Sequence, residues 1–251
     1  MKYIRTYGDY NSWKLDYSNP DRGFRLKPTL YKYSDVGVES KILLETDDPR
    51  KHGDSTYMEI YLYSDVEFSF YIGNAPDDTQ TTMTCTIDWG DGTIETKTIT
   101  KDNYGFKLVH NYVVGSYKIE LYDVERDYVI EGDNGKSLIS HPSSVKRVVL
   151  GDGVVIIERY TFYKCRSLTS IYIPENVIIG EYVFKECSSL KSIHISEGIT
   201  TINLSTFYYC TSLKSIHIPE SITGIRGRAF GYCTSLKSIY IPKSVTSIDI
   251  Y

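Results

Sequence analysis

The last 90 residues of the chain repeat one short pattern four times. Each copy reads Phe, two residues, Cys, one residue, Ser-Leu, two residues and Ile-x-Ile, and successive copies begin 22, 23 and 23 residues apart. The copies are Phe162/Cys165/Leu168/Ile171/Ile173, Phe184/Cys187/Leu190/Ile193/Ile195, Phe207/Cys210/Leu213/Ile216/Ile218 and Phe230/Cys233/Leu236/Ile239/Ile241. A period of roughly 20 to 30 residues indicates a solenoid, because so short a unit cannot bury its own apolar face and has to stack on its neighbours. The pattern predicts an architecture for binding and not for chemistry.

The segment Leu-x-x-Ile-x-Ile predicts which side chains face outward. Strand side chains alternate, so the Leu and both Ile are expected to point inward and the residues between them outward. Equivalent residues of stacked repeats then lie roughly 4.8 Å apart across a parallel ladder. The predicted outward set is Ser170, Tyr172, Ser192, His194, Ser215, His217, Ser238 and Tyr240, beside a row of lysines at the strand entrance, Lys191, Lys214 and Lys237.

The tyrosines and histidines of this set form a candidate ligand-contact stripe. A binding surface is one interpretation, since solenoid sheets present extended faces used in recognition, and an ordinary solvated sheet face is the other. His194 and His217 could also share a metal ion, but two ligands without a neighbouring carboxylate or cysteine are too few for a closed site. We therefore expect neither a metal nor a cofactor.

Four cysteines occupy equivalent positions in the repeats, Cys165, Cys187, Cys210 and Cys233. An inward ladder of small apolar side chains is expected, because free cysteine behaves as a buried hydrophobe. Stacking would also bring the cysteines within the Cα separation that a disulfide can span. Reduced thiols are the favoured interpretation, since Cys85 is left over as an odd fifth cysteine and no CxxC pair suggests zinc or redox chemistry.

A different pattern precedes the repeats. Apolar residues alternate with polar ones in four short segments, Met58/Ile60/Leu62, Val66/Phe68/Phe70/Ile72, Met83/Cys85/Ile87/Trp89 and Tyr117/Ile119/Leu121. A period of two indicates half-buried strands. Because Gly and Asp turns separate these strands, the segment predicts a small β-sandwich.

Motifs within this sandwich resemble a known domain. Trp89-Gly90-Asp91-Gly92, His110-Asn111-Tyr112 and the stretch 115–121 resemble the polycystic kidney disease (PKD) domain over about residues 56–131. The resemblance implies an immunoglobulin-like sandwich that acts as a spacer or adhesion module in surface proteins. Asp88 and Asp91 supply too few oxygens for a calcium site, and Asp in a Gly-rich turn normally forms local hydrogen bonds.

The polar turn 131–135 is the clearest boundary, and a degenerate repeat follows it. Pro142-Ser143-Ser144-Val145 replaces Cys-x-Ser-Leu, and Val148 and Leu150 replace Ile-x-Ile, as an end cap requires. Over about residues 140–251 the repeats resemble the BspA-like leucine-rich repeats of bacterial and protist surface proteins. The chain is thus predicted to be mainly β, with an N-terminal arm or docking segment (1–55), a PKD-like, immunoglobulin-like β-sandwich (56–131) and a leucine-rich-repeat solenoid with a parallel sheet (132–251).

Charge and hydropathy argue against two classes of partner. The net charge of -4 and the pI of about 5.8 do not favour nucleic acid. The chain contains no run of about 18 apolar residues, so membrane insertion is not expected. The polar start of the chain shows no signal peptide if Met1 is the native start, so the localisation stays open.

The function expected from these features is non-enzymatic. No phosphate loop, GxSxG, HExxH or paired catalytic carboxylates occur, and both resembled modules are non-catalytic. We expect a binding or adhesion protein that recognises a protein or glycan through the repeat sheet face, displayed on a bacterial cell surface or a virion. The alternative is a structural decoration or attachment protein of a bacteriophage virion, docked by residues 1–55. The family resemblance favours the first, and the missing signal peptide favours the second.

The C-terminal end is expected to be covered. The last repeat stops before its closing Phe-x-x-Cys segment, which would leave Leu236, Ile239 and Ile241 shielded only by Ile248, Ile250 and Tyr251. Since a solenoid normally needs a polar cap, we expect self-association or a partner protein at this end. A minimal cap made by the last few residues is the alternative.

Overall fold

The computed structural model describes residues 55–249, except 77, 123, 125, 126 and 134, together with the backbone of Leu30–Tyr33 and Val38–Lys41. This part of the chain is mainly β, with a 3-10 turn at Pro142–Ser144 and no α-helix. Within it, no helix has the length and apolar content needed to cross a membrane. The predictions for the N-terminal arm lie outside the described residues, apart from one antiparallel pair formed by the two short segments.

Twenty strands make up the described fold. In chain order they are β1 (Leu30–Tyr33), β2 (Val38–Lys41), β3 (Thr56–Leu62), β4 (Val66–Asn74), β5 (Thr82–Asp88), β6 (Ile94–Thr100), β7 (Phe106–Tyr112), β8 (Gly115–Tyr122), β9 (Tyr128–Ile130), β10 (Gly132–Asp133), β11 (Lys136–Ser137), β12 (Val145–Val149), β13 (Val154–Ile157), β14 (Ser170–Tyr172), β15 (Ile178–Ile179), β16 (Ser192–His194), β17 (Thr201–Ile202), β18 (Ser215–His217), β19 (Gly224–Ile225) and β20 (Ser247–Ile248).

Two sheets run from the N-terminal strands directly into the repeats. One has the order β14-β12-β3-β8-β5-β6, and the other has the order β15-β13-β9-β4-β7. Strand β12 pairs antiparallel with β3 and parallel with β14, while β13 pairs parallel with both β9 and β15. The first turn of the solenoid is therefore hydrogen-bonded on both of its sheets to the preceding strands. The division of the chain into domains at residue 131 stays a prediction.

The core of the N-terminal sheets is built around Trp89. Its indole is fully buried and stacks on His110 with ring centroids 4.9 Å apart. The indole N–H donates to Glu95 Oε1 at 2.7 Å, and the Tyr112 hydroxyl donates to the Trp89 carbonyl at 2.8 Å. These contacts tie the end of β5 to β6 and β7, so one buried cluster joins both sheets. The resemblance to the PKD domain stays a prediction.

The repeats form a β-solenoid of about five turns, and their inward side chains lie where the period predicts. Phe, Cys and the Leu of Ser-Leu are fully buried in the first three regular repeats. The four phenylalanines stack along the axis with ring centroids 5.7, 5.5 and 5.5 Å apart. The degenerate first repeat is confirmed as a rung of the same ladder, because Val148 pairs with Ile171.

A backbone ladder runs along the Phe-x-x-Cys turns. The N–H groups of Tyr160, Phe162 and Lys164 donate to the carbonyls of the next turn at 3.0–3.1 Å, and equivalent bonds recur in the two following turns. Each turn also places two non-glycine residues in the left-handed region, two positions before and two after its Phe: Tyr160/Lys164, Tyr182/Glu186, Ser205/Tyr209 and Arg228/Tyr232. Because non-glycine residues adopt this conformation rarely, its recurrence shows that the turn geometry is imposed by the stacking.

The strand ladders are interrupted where the spacing drops to 22 residues. Strands β14 and β15 belong to the N-terminal sheets, whereas β16-β18 and β17-β19-β20 form separate parallel sheets. The shorter connection passes through Asn176, which has a φ of 61° and lies against Gly198 of the next turn. The deletion is thus accommodated in a turn, as expected, and it coincides with the break in strand pairing.

The last rung differs from the prediction. Ser238–Tyr240, expected as the fourth outward strand, is not a strand among the described residues. Leu236, Ile239 and Ile241 are only partly buried, which agrees with the expectation that few residues shield them at the last rung. This segment follows β18 at the last rung of the described stack, whereas β20 at the same end does pair with β19.

Candidate binding surface

Two histidines form the centre of the strand-face stripe, which we define as Tyr172, His194, His217 and Tyr240. Strands β16 and β18 pair in register, so that His194 lies opposite His217 and Ser192 opposite Ser215. The two imidazoles stack with centroids 6.1 Å apart. His194 is exposed, and His217 and both serines are half-buried. The predicted juxtaposition of these four residues is present.

Tyr172 stands at the other side of the strand break. It lies on β14, where it pairs with Val149 of β12, while Ser170 pairs with Arg147. Arg147 is 3.7 Å from Glu59 of β3. The serine row therefore continues through Arg147 to Glu59 of the N-terminal sheet, which the repeat pattern alone does not predict, whereas the stripe itself stops at Tyr172 because its partner Val149 is buried.

Tyr240 completes the stripe without a strand. Its side chain is 50% exposed, and Ser238 beside it is half-buried. The expected set of eight outward residues is thus at the surface, but only its middle four residues are joined by a common strand ladder. A prediction of one continuous four-stranded face was wrong in this respect.

The stripe is polar and uncharged at neutral pH. Burial and the neighbouring His194 lower the pKa of His217 to about 4. A neutral imidazole offers one donor and one acceptor nitrogen. The exposed lysines at the strand entrance, Lys191, Lys214 and Lys237, provide positive charge beside it. Such a surface can exchange hydrogen bonds with hydroxyl, amide or carboxylate groups.

The stripe does not contain the donors of a closed metal site. In the described ranges no group of three or more His, Cys, Asp or Glu side chains is arranged to hold a metal ion. The two aspartates of the Gly-rich turn serve local structure, since Asp88 accepts the Gly90 N–H and Asp91 accepts the Thr93 N–H. Asp91 also contacts His110 Nε2 at 2.7 Å. The predicted turn role of both aspartates is confirmed.

The repeat cysteines are buried free thiols, and they do more than fill space. The Sγ of Cys187 donates to the carbonyl of Phe162 in the preceding turn at 3.1 Å, and Cys210 and Cys233 repeat this bond. Burial raises the pKa of all four thiols, that of Cys233 to about 11. The thiols therefore stay protonated, and they join successive turns.

A second surface lies on the turns and was missed by the repeat analysis. We call Tyr208, Tyr209 and Tyr232 the turn-face patch. Tyr209 and Tyr232 are 40% and 57% exposed and stack with centroids 4.3 Å apart. Tyr208 meets both edge-on at 4.8 and 5.4 Å. The signal was present in the sequence, because the two variable positions of Phe-x-x-Cys hold tyrosine in three of the four repeats.

Comparisons with known proteins place the repeats in context. Residues 136–251 match the BspA type leucine rich repeat region in six copies. A leucine-rich-repeat protein of T. pallidum is 31% identical over 50% of this chain and 58% of that chain, with a TM-score of 0.43. A leucine-rich-repeat protein of Bacteroides ovatus is 28% identical over 42% of this chain and 33% of that chain, with a TM-score of 0.36.

A leucine rich cell surface protein of Faecalibacterium prausnitzii is 26% identical over 56% of this chain and 40% of that chain, with a TM-score of 0.36. The chain therefore covers 33% to 58% of the length of these three solved proteins. Comparison with curated proteins gives no match. The resemblance of the repeats to BspA-type leucine-rich repeats, predicted from their sequence, is confirmed for residues 136–251.

Proposed function

We propose that the protein is a non-enzymatic binding protein that recognises a protein or a glycan through the strand-face stripe. The observation that supports this most directly is the register of β16 and β18, which aligns His194 with His217 and Ser192 with Ser215 on the outward face. The inward residues of the same strands are occupied by packing. The outward residues can therefore vary with the ligand without disturbing the core, as in other solenoids.

The chemistry of the stripe indicates what it would bind. Neutral imidazole, hydroxyl and phenol groups exchange hydrogen bonds and also offer aromatic contact area. Hydroxyl groups of a glycan and backbone amides of a protein match these donors and acceptors. In this proposal the N-terminal strands form a PKD-like sandwich that supports the solenoid.

Parallel binding of the full chain and one variant to the same glycan and protein arrays tests the proposal. The variant replaces Tyr172, His194, His217 and Tyr240 by Ser, and it should remain folded because surface substitutions usually change stability little. We expect the signals of the unmodified chain to be lost in this variant. A control with Ile94→Ser and Tyr104→Ser, which are exposed elsewhere, should keep them. Signals retained by the stripe variant would place recognition on another surface.

A further inference from the structure

The turn-face patch has the anatomy of a contact surface. Gly231 leaves room for it, because a Cβ at this position would lie 2.7 Å from the Tyr208 ring. The Tyr208 ring therefore lies over the backbone of the next turn at Gly231, edge-on to the stacked pair Tyr209 and Tyr232. Exposed tyrosines held by such contacts lose little conformational entropy on binding, and tyrosine is enriched in the centres of protein interfaces.

Two ring faces of this patch are covered by each other, and a lysine lies near a third. Tyr209 and Tyr232 are parallel within 2° and cover one face of each other. The Lys185 ammonium lies 5.8 Å from the Tyr208 centroid. The groups left for a partner are hydroxyls, ring edges and the outer faces of the stacked pair, which suit the mixed apolar and hydrogen-bonding contacts of a protein surface.

The rim of the patch is mainly basic. Lys164 and Lys185 lie over the Tyr163 ring at 4.8 and 5.4 Å. Arg166 is bound to Glu186 at 2.7 Å, and Arg228 is exposed one turn further on. A partner that complements this surface presents an apolar centre with acidic groups beside it.

The loops of the N-terminal sheets present such a surface. We call Tyr63, Val113 and Val114 the sandwich tip, and their exposed fractions are 78%, 62% and 55%. The loops after β3 and β7 meet there, because Leu62 pairs with Gly115 and the Val114 N–H donates to Asp65 Oδ1 at 2.9 Å. Asp65 and Glu67 are exposed beside the apolar residues, and Glu67 also lies 3.4 Å from Lys107 Nζ.

The charge distribution of the chain matches these two patches. Residues 56–131 contain 14 acidic and five basic side chains, whereas residues 132–251 contain nine acidic and 13 basic ones. Opposite charge on two surfaces favours their encounter and their correct orientation. The charge around each of the two patches therefore complements the charge around the other.

We propose that the turn-face patch of one copy docks on the sandwich tip of a second copy. The contact joins two different surfaces and is therefore heterologous. Repetition of it generates either a closed ring or an open chain. Two copies that exchange both contacts at once would instead form a two-fold symmetric dimer. This association uses neither the strand-face stripe nor the C-terminal end, and it goes beyond the binding role proposed above.

Analytical ultracentrifugation of the full chain from about 10 μM to about 1 mM tests the proposal, since association that depends on mass action is resolved over such a range. We expect the average mass to rise with concentration. The association constant should fall at least tenfold when salt is raised to about 0.5 M, because surface charges are screened. A chain that stays monomeric at low salt throughout this range would overturn the proposal.

Two matched variants identify the surfaces. Tyr209→Asn with Tyr232→Asn keeps residues that tolerate the left-handed conformation, and Val113→Ser with Val114→Ser changes the tip. Each is expected to weaken self-association at least tenfold, while Ile248→Asp at the C-terminal end leaves it unchanged. Association that survives both patch variants but is lost in Ile248→Asp would refute this contact in favour of the C-terminal end.

A charge exchange between copies gives the sharpest test. Lys185→Glu and Glu67→Lys should each weaken self-association, because like charges then face each other. An equimolar mixture of the two variants should regain it, since the glutamate introduced at position 185 of one copy then lies opposite the lysine introduced at position 67 of the other. A mixture that associates no better than either variant alone would contradict the proposed pairing.

Discussion

The two ends of the solenoid are closed in different ways. At the first end, β12 and β13 are hydrogen-bonded to β3 and β9, so the turn is continuous with both N-terminal sheets. At the last end, β20 pairs with β19 and has no second neighbour among the described residues. Ile248 on β20 is 53% exposed. A repeat gains its stability from its neighbours. The same sequence motif therefore contributes less to the free energy of unfolding at the second end than at the first.

The difference shows that burial follows the position in the stack as well as the residue type. The Phe, Cys and Leu of the third regular repeat are fully buried, whereas Phe230 and Leu236 of the fourth are partly exposed. The same residue types therefore form the core in one repeat and a partly exposed surface in the other. The following predictions test how large this difference is.

The largest effect is expected for the phenylalanine ladder. Phe184 is fully buried between two other rings, and Phe184→Ala should lower the free energy of unfolding by about 3–5 kcal/mol. Phe230→Ala, at the open end, should cost clearly less because its ring already contacts water. Equilibrium denaturation of both variants measures the difference, and equal losses would show that the last turn is as well covered as the middle one.

A pH-dependent cost is expected at the closed end. Burial and the neighbouring Glu158 raise the pKa of Glu131 to about 7. The pKa of Glu131 is higher in the folded than in the unfolded state. The carboxyl therefore does not destabilise the fold below about pH 4.5, where it is protonated in both states, and its ionisation lowers the free energy of unfolding as the pH rises through 7. Glu131→Gln should therefore stabilise the protein at pH 8 by about 1–3 kcal/mol and change little at pH 4.

Denaturation at the two pH values gives this result directly. Glu197→Gln is a suitable control, because its side chain is exposed and lies away from Glu131 in the second regular repeat. A stabilisation by Glu131→Gln that is the same at both pH values would exclude titration of this carboxyl as the cause.

The thiol ladder is expected to distinguish the ends by reactivity. Cys165, Cys187 and Cys210 are fully buried, whereas Cys233 is 8% exposed. Burial raises the thiol pKa of Cys233 less than that of Cys165. Alkylation of the folded protein should modify Cys233 first and the other three repeat cysteines only on unfolding. Cys187→Ala should cost about 1–2 kcal/mol through the lost volume and S–H bond. Disulfide-linked repeat peptides in native material would refute the reduced ladder.

The smallest effect is expected at β20. Because Ile248 is half-exposed, Ile248→Asp should change the free energy of unfolding by less than about 1 kcal/mol. Amide exchange of β20 should be faster than that of β19, whose backbone is paired on two sides. Protection of β20 equal to that of β13 would mean that a further layer covers this end.

Much of the solenoid could be predicted because its determinants are local and repeated. The 23-residue period fixes which residues are equivalent, and the alternation of Leu168, Ile171 and Ile173 fixes which of them point inward. The same reasoning placed Val148 on the first rung. It failed for Ser238–Tyr240, since the pairing of the last rung with β18 depends on packing at the end of the stack, which the local pattern does not specify.

The candidate surfaces were only partly predictable for a similar reason. Sequence equivalence aligned His194 with His217, but the shorter connection around Asn176 separates Tyr172 from them in strand pairing. The pairing of β12 with β3 joins residues about 90 positions apart, and no local motif encodes it. Tyr208, Tyr209 and Tyr232 occupy variable positions of the repeat, so their meeting depends on the stacking of turns and on Gly231.

The backbone ladder along the turns has a mechanical consequence. The hydrogen bonds of this ladder point along the solenoid axis. A force that separates the two ends of the solenoid therefore breaks the bonds of one turn at a time, instead of loading the bonds of all turns in parallel. Extension should therefore begin at the last turn and proceed in steps, each releasing about 23 residues or roughly 80 Å of chain. The turn fused to the N-terminal sheets should detach last, because it is held on both of its sheets.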